Sequence, residues 1–112
     1  MLSRSPALRV RCGLKENVAK LKPIDGVARV VVRGAGIEIP NKEGKKASVA
    51  IYQHLSDKHG GKLGKAAALE GLELYGEVAE EAASKPGAHP NIDLLFQVIE
   101  SGAEHAIEVE RA

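Results

Sequence analysis

Between residues 86 and 93 the chain reads Pro86-Gly87-Ala88-His89-Pro90-Asn91-Ile92-Asp93, the one stretch where residue types able to do chemistry crowd onto a constrained backbone. Each proline holds φ near about −65° and the glycine permits a tight bend, so His89, Asn91 and Asp93 are set together at the entrance of an expected helix. An imidazole, an amide and a carboxylate so placed can act as general base, hydrogen-bond donor and orienting group. His89 and Asp93 also have the spacing of two metal ligands, but two are too few for a site. The competing reading is structural. Asn91 caps the helix, Asp93 answers the positive end of its dipole, and His89 bonds a backbone carbonyl. The residue types favour this second reading and leave the functional one as its alternative.

A second group lies in the basic loop Asn41-Lys42-Glu43-Gly44-Lys45-Lys46, just before another expected helix. Lysines beside an exposed helix N-terminus suit phosphates or carboxylates, although a solvated surface turn has the same composition. If the two loops meet in space, His89, Asn91 and Asp93 together with Lys45 or Lys46 form a site for a small molecule or anion. Gly60-Gly61-Lys62-Leu63-Gly64-Lys65-Ala66 superficially resembles a phosphate loop. Its glycine spacing is one short, no Ser or Thr follows the lysine, and no strand is expected before it, so that reading is rejected. His54 reads as a core-edge histidine, His59 as a partner for a helix C-terminus, and His105 as partly buried beside Ile107. Cys12, next to Arg11, has no histidine near in sequence to serve as its base, and no Ser lies in a nucleophile elbow. No catalytic residue, cofactor or metal site is therefore assigned.

Composition bounds the rest. The chain has 112 residues with 44% hydrophobic content, which suits one ordinary globular domain. Aromatics are 3% and Trp is absent, so the core must be built from Leu, Ile, Val and many alanines, a mixture that favours close helix packing. Sixteen basic and fifteen acidic residues leave a formal charge of +1, which argues against a nucleic-acid binder. One cysteine allows no internal disulfide, as in a reducing cytoplasm, and no apolar run approaches the roughly 20 residues that span a bilayer. A cytoplasmic protein without membrane attachment is expected. Residues Met1 to Lys15 carry Arg4, Arg9, Arg11 and Lys15 with no acid, a pattern also found in organellar targeting peptides.

The elements that must position these groups follow from periodicity. Leu8, Val10 and Cys12 alternate with arginines as a tail or edge strand would. Leu14, Val18 and Leu21 have helical spacing, stopped by Lys22-Pro23. Val27 to Arg33 is the clearest strand, and Ile37-Glu38-Ile39 is its hairpin partner, ended by Pro40-Asn41. Ala47 to about His59 forms a helix ended by Gly60-Gly61. A long helix from about Lys65 to Ser84 presents Glu70, Glu73, Glu77, Glu80 and Glu81 to solvent and an apolar face containing Gly71 and Gly76, where a neighbouring backbone can approach. A last helix runs from Asn91 to about Ser101, closed by Gly102, and Glu104 to Arg111 alternates as a strand. Its Glu108 and Glu110 complement Arg29 and Arg33, so these two strands should be neighbours.

Ile24-Asp25-Gly26-Val27-Ala28-Arg29 and the segment Pro86 to Asp93 resemble a small bacterial family known only as a domain of unknown function. The resemblance covers roughly Leu14 to Val109, leaves Met1 to Gly13 as an N-terminal extension, and implies a bacterial, cytoplasmic protein. The expected fold is α+β: a small mixed or antiparallel sheet of three strands, with a possible fourth, and about four helices packed mainly on one face. Residues 14–112 form a single domain in this reading. The favoured function is a non-enzymatic interaction module, a homodimer or a partner-protein binder, since the sheet has short edge strands and the long helix a wide alanine- and glycine-lined face. The alternative is a small-molecule or anion-binding protein, enzymatic or not, using the Pro86 to Asp93 loop.

Overall fold

A computed structural model describes residues 13–112. The strand expected at Leu8, Val10 and Cys12 and the targeting reading of the first residues lie outside that range. Gly13 precedes a short helix α1 (Leu14–Ala19), whose first N–H groups are taken by carboxylates: Gly13 donates to Glu16 at 2.9 Å and Leu14 to Glu77 at 3.0 Å. The hairpin β1 (Val27–Arg33) and β2 (Ile37–Pro40) follows, then α2 (Lys46–Lys58), a two-residue strand β3 (Lys62–Leu63), helices α3 (Lys65–Tyr75), α4 (Glu77–Ser84) and α5 (Pro90–Ser101), and β4 (His105–Arg111).

The sheet is antiparallel throughout, in the order β2-β1-β4-β3. The expected pairing of the first and last long strands is present: Val30 stands opposite Val109 and Val32 opposite Ile107. A register shift between Val27 and Arg29 lets Val27 turn inward with Val30 and Val32. On the outer face Arg29 Nε lies 2.6 Å from Glu110 Oε1, Arg33 Nε lies 2.6 Å from Glu108 Oε2, and Arg29 also bonds Glu38. These pairs are exposed and screened by salt, so they fix register more than they stabilise. On the inner face Val30, Val32, Ile39 and Ile107 are buried with Ile51, Leu55, Leu72, Leu95 and Val98 of the helices in one apolar core.

Three features depart from the sequence reading. The helix expected over Lys65 to Ser84 is two helices, broken at Gly76, which adopts φ 60° and ψ −131°. A non-glycine residue would be strained there, and the C-terminal carbonyls of Glu73 and Leu74 are met by the Asn17 side chain from α1 instead of by further helix. The described residues accordingly form five helices. The strand β3 is too short to show periodicity; it is held by Leu63 and Lys62 pairing with β4, and by Ile107 donating to the Gly61 carbonyl at 2.8 Å. Gly71 is closely approached, but by the side chains of Leu95 and Leu55 and not by the neighbouring backbone that was expected. Among the described residues no helix is long and apolar enough to cross a membrane.

Candidate functional site

The proline-clamped loop joins α4 to α5. Helix α5 begins at Pro90, with His89 as its N-cap residue and no side chain capping it. Asn91 is therefore inside the first turn, two residues past the cap position expected for it, because proline at the first helical position is already preset to helical φ and needs no N–H partner. The Asn91 carbonyl accepts a 2.5 Å hydrogen bond from the Tyr52 hydroxyl, which pins the start of α5 to α2. Asp93 reaches back, its Oδ2 accepting the Gly87 N–H at 2.9 Å. Among the described residues the His89 side chain bonds no backbone carbonyl; its Nε2 stands 3.5 Å from a Glu81 carboxylate oxygen on α4.

The basic loop and this loop meet. Gly44, Lys45 and Ser48 at the start of α2, and His89, Pro90 and Asn91 at the start of α5, line one pocket of about 350 Å3, with Leu14 and Tyr75 also in its wall. Lys45, His89 and Asn91 are thus brought together from separate parts of the chain. Lys46 is turned to a neighbouring hollow, 3.9 Å from Glu43. Asp93 is outside the lining and acts as a brace for the loop.

The pocket's electrostatics come from a few groups. Lys45 is exposed and has no carboxylate partner among the described residues. Among the described residues no side chain caps α2, and its first turn carries no acid, so no carboxylate offsets the positive end of that helix beside the pocket. In the wall, Ser48 Oγ and the Tyr75 hydroxyl are 2.6 Å apart. Burial pushes the Tyr75 phenol well above its ordinary range, outweighing the opposing effect of Ser48, so it keeps its proton. Two hydroxyls sharing one hydrogen bond use one of their two protons in it; the other remains to donate. Burial raises the Tyr52 phenol in the same way and keeps it a donor to Asn91.

Ser48 and Tyr75 were missed in the sequence. The available signal was weak: a tyrosine on an apolar helix face, in a chain poor in aromatics, carries a polar tip that must find a partner. A second cluster was also misplaced. Glu70, assigned to a solvated face, accepts from His54 Nε2 at 2.7 Å, His59 Nε2 at 2.9 Å and Lys58 Nζ at 3.2 Å, tying the end of α2 to α3. His54 and His59 are core-edge and helix-end histidines as read, with this carboxylate as their shared partner. Among the described residues no three His, Cys, Asp or Glu side chains are arranged to hold a metal ion.

Residues 14–109 match a family model described as an uncharacterized protein conserved in bacteria (DUF2322), and the chain belongs to that family. Neither the curated proteins nor the solved structures contain a match to it.

Proposed function

We propose that this member of an uncharacterised bacterial family binds a small anion, a carboxylate or phosphate, in the pocket between the starts of α2 and α5. The observation that carries the reading is the convergence of Lys45, without an acidic partner among the described residues, on a wall holding a hydroxyl pair with a proton to spare. His89 and the uncapped first turn of α2 add donors and positive potential at the same place. One motive of the homodimer reading falls away: the α3 face of Ala67, Ala68, Gly71, Leu72 and Tyr75 is buried within the chain, and Leu69, at 40% exposure, is the large hydrophobic left outside among the described residues.

Calorimetric titration with inorganic phosphate and with butyrate tests this. Saturable one-to-one binding is expected, with Lys45→Ala and Tyr75→Phe each weakening it about tenfold, the loss of one hydrogen bond to a charged group. At about 100 times the dissociation constant the ligand should stabilise by about 2.7 kcal/mol and raise the melting temperature on the order of ten degrees. A flat titration for both anions, with light scattering showing a stable dimer, would replace this reading with the interaction module.

A further inference from the structure

Beside the anion pocket lies a second, more apolar hollow of about 500 Å3, within the size range of ligand sites. Leu14, Val18 and Leu21 of α1 and its extension form one wall, Ala47 and Ala50 of α2 the other, with Ile24 between. Leu14 and Ala47 belong to both linings, so the two hollows adjoin at the start of α2. We propose that the ligand is an amphiphile, a medium-chain carboxylate whose head group occupies the anion pocket and whose alkyl chain lies in this groove. The proposal rests on the anion-binding reading and adds the class of ligand.

The rim of the groove decides between possible occupants. Lys15, Lys22 and Lys46 stand around it, and its one acid, Glu77, already accepts the Leu14 N–H through Oε1. Lys22 and Lys46 are only loosely engaged at the surface, 3.3 Å from Asp57 and 3.9 Å from Glu43. A basic rim on an apolar floor complements a ligand that is apolar along its length and negative at its head. It does not complement the chain's own first twelve residues, which carry Arg4, Arg9 and Arg11 and no acid. A second copy of the chain offers little apolar surface to insert, Leu69 being its exposed large hydrophobic among the described residues.

The test is a calorimetric series of acetate, butyrate, hexanoate, octanoate and decanoate, below micelle-forming concentrations, on the full chain, with inorganic phosphate as the head-only probe. Each methylene buried in the groove should tighten binding up to about fourfold, so decanoate should bind far more tightly than butyrate. Val18→Asp, which sets a charge in the groove, should abolish the dependence on chain length; Ala50→Leu, which fills it from the opposite wall, should do the same if the first variant fails to fold by circular dichroism. Equal affinities from butyrate to decanoate, with phosphate still binding, would overturn the amphiphile proposal and leave the anion pocket standing. Absence of binding by phosphate and every carboxylate would overturn both. A length dependence unchanged in both variants would place the alkyl chain elsewhere and overturn the groove.

Discussion

A methyl group added at Gly71 would stand 2.9 Å from Leu95 Cδ1 and 3.1 Å from Leu55 Cδ1. Both leucines are fully buried, so neither can move its methyl out to water. Alanine ordinarily improves on glycine in a helix by about 1 kcal/mol, whereas overpacking a closed core costs about 1–3 kcal/mol. The second effect should win here: Gly71→Ala is expected to lose up to about 2 kcal/mol in urea unfolding, where an exposed glycine in a helix would gain. A more stable Gly71→Ala would mean that the α3–α5 contact has slack. The same closeness explains why the alanine- and glycine-rich face of α3 is buried within the chain. It is where this chain, poor in aromatics, brings its own helices together. Gln53 makes a parallel point for polar groups: wholly buried, it donates to the Pro23 carbonyl at 3.2 Å and accepts from Arg111 at 3.4 Å. A buried amide is tolerated because both of its ends are engaged.

At the scale of elements, the break between α3 and α4 is the decisive event. Tyr75, the last residue of α3, meets Ser48 of α2, and Gly76 at φ 60° and ψ −131° then turns the chain so that Glu77 meets the start of α1. Gly76→Ala should cost about 1–3 kcal/mol through backbone strain, despite alanine's helical preference. Amide exchange should show α1 and the α3–α4 junction losing protection before the sheet does; uniform loss would mean that the junction is not a separate unit. This break also marks the limit of what the sequence made legible. The strands β1 and β4 and their pairing were readable because Arg29 and Arg33 face Glu110 and Glu108, so charge and alternation agreed. Gly76 lies on the apolar side of a continuous helical wheel, and periodicity carries straight through it. Lys45 and His89 could be picked out as residue types, and their loops could be named as partners. The hydroxyl pair could not, since Ser48 and Tyr75 meet only through the packing of α3 against α2. The cap of α5 was placed two residues late because Asn91 is a good cap by type, while Pro90 is a better first residue.

For the whole molecule, acid stability depends on how few charges are both paired and shielded. Most of the acidic and basic side chains are exposed, and pairs such as Lys22 with Asp57 are more than half open to solvent, where ion pairs contribute little. Among the described ion pairs Glu70 is the most shielded carboxylate, with 21% of its side chain exposed beneath two histidines and a lysine. Burial alone would raise its carboxyl, but the hydrogen bonds from His54, His59 and Lys58 outweigh that effect and hold it at about 2, below the ordinary 4.5. A carboxyl held low in the folded state and normal in the unfolded one contributes its full stability above the unfolded value. That contribution is lost as pH falls from about 4.5 towards 2. Glu70→Gln removes the charge but keeps the shape, so it should cost roughly 1–2 kcal/mol near neutrality, the scale of hydrogen bonds to a charged group discounted for partial solvation. Because the variant has no such carboxyl to protonate, its stability should fall less steeply than the natural protein's below pH 4.5, and the two curves should converge as pH approaches 2. Urea midpoints measured at intervals from neutral to acid pH read this directly. Parallel curves across that window would mean that Glu70 titrates normally and that the junction of α2 with α3 is held by packing alone.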